Sequence, residues 1–318
     1  MPKISRHYSS VKILTGSDLS KRRIPMMEIH SAEAGPVVWL TGCMHGDEIG
    51  GTVVIHEVFK KIKGRLLKGS VRAFPLMNPF GFETISRNIT YSKEDLNRSF
   101  PGNKSGTLAE RIADIIFSKI LETDPTVVID LHNDWKRSIP YSLTELSGLS
   151  DIDKTVLEYS KMTGLLQIED TDKIHSSLTY NLMEKNIPAL VLELGESYII
   201  NEQNIEIGIN AIWNILTKLG MVSDEGHYYQ FPLPERFSEH VLLYSCLPLS
   251  STSGIVRFFK KPGEVVRKGQ KIAKVCNAYG KQIEIICALS DGIIIGQTDT
   301  ALAFPGSPVM AFGVLREA

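Results

Sequence analysis

Cysteine is scarce in this sequence, long apolar runs are missing, and neither sign of charge dominates. The four cysteines, Cys43, Cys246, Cys276 and Cys287, are spread over 318 residues without a C-x-x-C pair. Such usage excludes a disulfide framework and predicts a reduced, cytoplasmic compartment. The longest apolar runs, VVWL and ALVL, fall far short of the ~18 residues that a membrane span requires, so no membrane partner is expected. The first ten residues, MPKISRHYSS, are polar and lack the apolar stretch of a secretory signal. Lys and Arg total 35 against 36 Asp and Glu, which leaves no basic excess for a general nucleic-acid binder. What is present is ordinary for a globular chain, with 43% apolar and 22% charged residues, enough to bury a substantial core. The length fits a large domain with a smaller companion.

Up to about residue 225 the pattern alternates between strand and helix. Val37–Thr41 is a short apolar run ending in a Gly-rich turn, and Ile49 to Ile62 has helical spacing. Val71–Met77 reads as a second strand. Leu108 to Leu121 carries Leu108, Ile112, Ile115, Ile116 and Ile120 on one face, with Thr107 and Glu110 spaced as a capping box. Thr126–Leu131 and Ala189–Leu194 read as buried strands, and Ile205–Leu219 as a further helix. The alternation predicts an α/β fold: a mainly parallel, mixed sheet with helices on both faces. Beyond an aromatic and proline-rich linker at Gly226–Pro234, only short β-type runs between turn signals remain, with no further helix. Two units are therefore expected, 1–228 and an all-β unit at 239–318.

In an open α/β sheet, ligands bind outside the carboxyl ends of the strands. Three such ends deliver His45 and Glu48 (in GCMHGDE), His132 (in DLHND) and a carboxylate, Glu193 (in LELGE), to one edge. Two imidazoles and a carboxylate make a catalytic zinc shell with a position left for water, whereas calcium or magnesium would want more oxygens. Glu193 is placed to exchange protons with that water and the leaving group. Cys43 reads as a small core residue, and Asp47 as a partner of the following helix N-terminus. Asn97 and Arg98 lie in a polar loop where a guanidinium can fork onto a carboxylate, and Arg87 could stabilise a developing oxyanion.

Taken in order, HGDE, DLNRSFPG, DLH and LELG resemble the succinylglutamate desuccinylase/aspartoacylase family, within the zinc carboxypeptidase-like superfamily. The resemblance spans about Pro36 to Leu219. It implies one Zn2+ per chain on His45, Glu48 and His132, with Glu193 as general acid/base and Arg87 polarising the substrate carbonyl. Asn97 and Arg98 match the pair that grips the substrate carboxylate. The segment between Arg87 and Asp95, NITYSKE, departs from the Pro- and Asp-Gly-containing form of many relatives. Glu196 has no counterpart and is expected to be solvated or structural. His175, ahead of the Glu193 strand, is a candidate to line the pocket. The implied activity is hydrolysis of small N-acylated amino acids or related amines by metal-activated water, with a small-molecule substrate as partner and self-association left open.

The β-rich tail resembles a lipoyl/biotinyl-type barrel-sandwich, through PGEVVRKGQKIAKV and a later Asp-Gly. Its loop lysine, Lys281 in AYGKQ, lacks the Met-Lys-Met context, so no attached group is expected. Such a unit would narrow the site mouth or mediate oligomerisation. Two other readings share the motifs: a metallocarboxypeptidase acting on peptide C-termini, and a catalytically silent scaffold. Pocket size separates the first from a deacylase. Retention of every motif residue argues against the second.

Overall fold

The computed structural model describes residues 3–15, 19–146, 151–238 and 240–316. The first half contains β1 (Ile4–Thr15), β2 (Lys21–Ser31), β3 (Val37–Gly42), α1 (Gly50–Lys61), β4 (Ser70–Phe74), α2 (Pro79–Phe82), α3 (Leu108–Leu121) and β5 (Val127–Asp134). The middle follows with β6 (Arg137–Ser138), β7 (Pro140–Thr144), α4 (Asp151–Met162), β8 (Leu166–Glu169), α5 (Leu178–Met183), β9 (Ala189–Glu196) and α6 (Glu202–Lys218). The tail adds α7 (Glu235–Ser238), β10 (Val241–Ser245), β11 (Gly254–Phe258), β12 (Val265–Val266), β13 (Lys271–Cys276), β14 (Gln282–Cys287), β15 (Gly292–Gln297), β16 (Leu302–Ala303) and β17 (Met310–Val314).

The expected α/β architecture is present as a mixed sheet with a parallel centre. The order β1-β2-β4-β3-β5-β9-β7-β8-β10-β17-β15-β12 makes one continuous sheet, with β6 paired to β15. The central pairs β4–β3, β3–β5 and β5–β9 are parallel, while β7 runs antiparallel to β9. The central strands are buried almost throughout, as their unbroken apolar runs require. Helices cover both faces. A Cβ added at Gly208 of α6 would lie 2.7 Å from Leu194 and 3.0 Å from Val54 of α1, so those helices pack where Leu194 points. Glu193 points to the other face, where Thr179 of α5 lines the same cavity.

Helix α3 has the limits and the reciprocal capping box that the sequence announces. The strand read as Val71–Met77 stops at Phe74, because Pro75 cannot donate to the ladder. The long β1–β2 hairpin lies outside the elements expected from sequence, although Ile24, Met26 and Ile29 of β2 enter the core. A four-residue helix, α7, follows the linker, too short for any periodicity to betray it.

The tail forms a second, small sheet, β14-β13-β11-β16. Its core joins Val256, Ile272, Val275 and Ile286 to Ile294, Met310 and Phe312 of the main sheet. The tail is thus all-β apart from α7, and four of its strands, β10, β17, β15 and β12, extend the large sheet. No helix among the described residues is long and apolar enough to cross a membrane.

Candidate active site

Backbone proximity assembles the site before any side chain acts. Gly46 sits so close to α2 that a Cβ there would lie 1.9 Å from the Gly81 carbonyl carbon. A Cβ at Gly51 would lie 2.7 Å from Leu131 Cβ, so α1 approaches β5 as only glycine permits. Register then sets His132 of β5 beside Glu193 of β9. Asn78, fully buried, caps α2 by accepting from Gly81 N at 2.9 Å and holds the Arg87 loop through that residue's carbonyl.

His45, Glu48 and His132 come together as the sequence reading expected. Each offers one ligand atom, and these atoms lie within 4.8 Å of one another. His45 Nδ1 is 2.7 Å from Glu48 Oε1, and His132 Nδ1 is 2.8 Å from Glu48 Oε2. The far nitrogens meet carboxylates: His45 Nε2 is 3.1 Å from Asp95 Oδ1, and His132 Nε2 is 2.9 Å from Asp130 Oδ2. With each Nε2–H donated to a carboxylate, both Nδ1 lone pairs face inward, the orientation a metal-binding histidine needs. Two imidazoles and one carboxylate suit zinc, so the donor set fits that ion.

The electrostatics agree with a cation site. Burial would raise the Glu48 pKa, but the charges of His45 and His132 outweigh it and hold the group ionised well below the usual range. Burial would likewise lower His132, yet Asp130 and Glu48 drive it well above the ordinary imidazole value. A cation bound here therefore displaces a proton.

Glu193 lines the same cavity, of about 240 Å3, and its Oε2 is buried with no hydrogen-bond partner among the described residues. Burial, then the charge of Asp134, push its pKa well above the carboxylate norm. Burial also lifts Asp134 to about 6, despite the hydrogen bond from Tyr141 Oη at 2.7 Å.

Arg87 lines the cavity and donates to Glu48 Oε1 at 3.3 Å and Asp95 Oδ2 at 3.2 Å. Arg98 lines it too, its guanidinium donating to the Asn97 carbonyl at 3.0 Å. Asn97 lies beside it, but its Oδ1 accepts from Leu178 N at 3.0 Å and so ties the DLNR loop to the start of α5.

Two expectations, for Asp47 and His175, change, while those for Glu196 and Cys43 stand. Asp47 does not cap α1, which begins at Gly50 with Ile49 at its N-cap; Asp47 Oδ1 is buried without a partner among the described residues. His175 stacks edge-on against Tyr180 and lies outside the cavity lining. Glu196 has a structural role, accepting from Asn201 Nδ2 at 2.8 Å. Cys43 is a core residue, its thiol pushed up to about 12 by burial and by Glu48.

Other residues went unread. Asp130 and Asp95 sit inside DLH and DLNR, and the i, i+2 spacing of Asp130 and His132 on one strand face was an available signal. Asn133 donates to Glu48 Oε2 and accepts from Gly50 N, tying β5 to α1, with nothing in sequence to mark it. Tyr244 of β10 also lines the cavity, so the tail contributes to the site.

Comparison with known proteins fits this geometry. The succinylglutamate desuccinylase/aspartoacylase catalytic domain matches residues 34–219. An N-alpha-acetyl-L-2,4-diaminobutyric acid deacetylase of Halomonas elongata is 28% identical over 258 residues, covering 79% of this chain and 73% of that one. The product-bound structure of the ectoine utilization protein EutE (DoeB) from Ruegeria pomeroyi superposes with a TM-score of 0.83 at 23% identity, over 98% of this chain and 95% of that one. A metallo-carboxypeptidase from Burkholderia cenocepacia shares the fold more distantly, with a TM-score of 0.55 at 12% identity, over 67% of this chain and 64% of that one. The chain belongs to the succinylglutamate desuccinylase/aspartoacylase family.

Proposed function

We propose that this protein is a zinc-dependent hydrolase that cleaves the amide bond of small N-acylated amino acids or related amines in the cytoplasm. The observation that carries the reading is the meeting of His45, Glu48 and His132 with Glu193, whose Oε2 is buried without a hydrogen-bond partner among the described residues, in one small cavity. His45, Glu48 and His132 would hold one zinc ion per chain, which when bound polarises a carbonyl and acidifies water.

The protein's own groups do the rest. Asp95 and Asp130 fix the two imidazoles in the ligating orientation. Glu193 takes a proton from the attacking water and returns it to the departing amine nitrogen, a task its raised pKa suits. Arg87 is held by Glu48 and Asp95 through two N–H groups, which leaves others for the substrate carbonyl oxygen. Arg98, beside Asn97, grips the substrate carboxylate and fixes its position. We assign catalysis to residues 1–228, with the β-rich unit at 239–318 closing the cavity through Tyr244.

A cavity of about 240 Å3 falls below the ~300–1,000 Å3 of sites for drug-sized ligands, which favours a small amide over a peptide chain. The Halomonas elongata relative supports the same class. The test is amine release from a panel of N-acyl amino acids by zinc-loaded and chelator-stripped protein, beside a peptide with a free C-terminus. Activity confined to the loaded protein and to the N-acyl compounds is expected. Faster cleavage of the peptide would transfer the assignment to a carboxypeptidase. Arg98→Lys should raise KM about tenfold or more for substrates bearing a carboxylate, since an ammonium cannot form the bidentate fork. An equal loss for substrates without a carboxylate would remove Arg98 from recognition.

A further inference from the structure

The paired strands that carry His132 and Glu193 fall out of step directly after those residues. His132 of β5 faces Glu193 of β9, and the next matched pair is Asp134 with Glu196. Asn133 alone therefore stands against Leu194 and Gly195. Such a bulge is rare between parallel strands, and bulges beside active sites re-aim the side chains next to them. Gly195 supplies the left-handed backbone that the extra residue needs, with a φ of +80°.

Asn133 pins this bulge. Its side-chain amide donates to the Gly195 carbonyl at 3.2 Å and to the Glu196 carbonyl at 3.0 Å. Its Oδ1 accepts from Gly50 N at 3.0 Å, and its main-chain N–H donates to Glu48 Oε2 at 3.1 Å. A Cβ on Gly50 would lie 2.7 Å from that Oδ1, so glycine there makes room for the amide. The residue is buried. One side chain and its own N–H thus join three segments: the turn that carries Glu48, the strand that carries His132, and the strand end beyond Glu193. Glu193 itself has little to fix it. Its Oε2 has no hydrogen-bond partner among the described residues, so the main chain of β9 sets where that oxygen sits.

We infer that Asn133 is a positioning residue for Glu193: by pinning the bulge, it fixes how far the general acid/base stands from the metal ligands. The inference rests on the role proposed above for Glu193 and adds the residue that sets its reach. Without the amide, the two carbonyls at the bulge lose their donors, and an unpaired buried carbonyl is costly. Regular pairing, with Asp134 opposite Gly195, then competes with the bulge, and the end of β9 shifts. A misplacement of about 1 Å at a reacting group can cost about 10^2 in rate. Glu48 keeps its bond from residue 133 throughout, since that donor is main-chain.

Paired backgrounds separate action through Glu193 from a general loss of structure. With zinc-loaded protein and N-acyl amino acids as substrates, Asn133→Ala should lower kcat about 10- to 100-fold. KM should stay within about threefold of wild type, and one zinc per chain should be retained. In a Glu193→Gln background the same substitution should cost less than about threefold, because the group it positions is already gone. Equal losses in both backgrounds, or a loss confined to KM or to metal content, would overturn the inference. Asn133→Asp divides the contacts: it can still accept from Gly50 N but offers no N–H to the two carbonyls. It should lose as much kcat as the alanine variant; near-normal turnover would assign the effect to the α1 contact and defeat the role of the bulge. A crystal structure of whichever variant folds gives a readout apart from activity. The Glu193 carboxyl should move by about 1 Å while His45, Glu48 and His132 superpose on the wild type. A carboxyl that stays in place would overturn the inference even if rates fall. Wild-type turnover in Glu193→Gln alone would instead bring down the role of Glu193, and the inference with it.

Discussion

Glu193→Gln should keep the fold and the full metal content while kcat falls by roughly 10^2–10^4, the usual worth of a positioned general acid/base. The substitution preserves side-chain size in a strand whose neighbours Leu192 and Leu194 are buried. It also leaves His45, Glu48 and His132 untouched. What it removes is a carboxyl group that burial and Asp134 have moved toward neutrality, where exchange with water and with an amine is best matched. KM should change little, since the loss falls on a step made only in the transition state. The same variant should lose the limb of the rate–pH profile that belongs to this carboxyl. Turnover near that of the wild type would place the proton transfer elsewhere, with Asp134 the next group to examine.

His132→Ala should have the other large effect, and it should appear in metal content and stability before it appears in rate. The wild type is expected to bind one zinc per chain and the variant essentially none, as measured by elemental analysis after exhaustive dialysis. The imidazole stands between Glu48 and Asp130, the latter completely buried. Deleting it leaves two carboxylates facing a gap, and breaking such a buried pair from one side costs about 3–5 kcal/mol. Denaturant unfolding should register that loss even in metal-free protein. His132→Gln, which refills the space with a hydrogen-bonding amide, should recover part of the stability but little of the metal. Retention of a full zinc complement in both variants would sink the three-ligand site, and with it the mechanism proposed for Glu193.

Much of this was legible because single stretches of chain carry the signal. The capping box at Thr107 and Glu110 is local, and it fixed the start of α3 to the residue. HGDE after an apolar run could be placed at a strand end, since a buried strand leaves few other exits for polar residues. His45 and Glu48 lie three residues apart and needed only one turn to meet. What failed was non-local or too short. The β1–β2 hairpin places Ile24, Met26 and Ile29 in the core, but polar residues and Pro25 interrupt the alternation along its strands, so no clean period marks it. Asp47 looked like a helix partner because its position suits one, but α1 takes Ile49 as its N-cap, two residues further on, and no side chain caps it.

The sequence by itself determined the α/β class, the β-rich tail, the family and the set of side chains able to bind a metal. These follow from patterns of two to fourteen residues, a scale on which local propensity and burial leave few alternatives. The tertiary structure decided everything that depends on which strand lies beside which. Pairing of β5 with β9 brought His132 next to Glu193, although the two are far apart in the chain. Antiparallel entry of β7 set Tyr141 opposite Glu193. Parallel docking of β8 on β7, and of β10 on β8, brought Tyr244 of the tail to the same cavity. No motif spacing encodes such neighbours, because strand order is set by packing the whole sheet and not by any one segment.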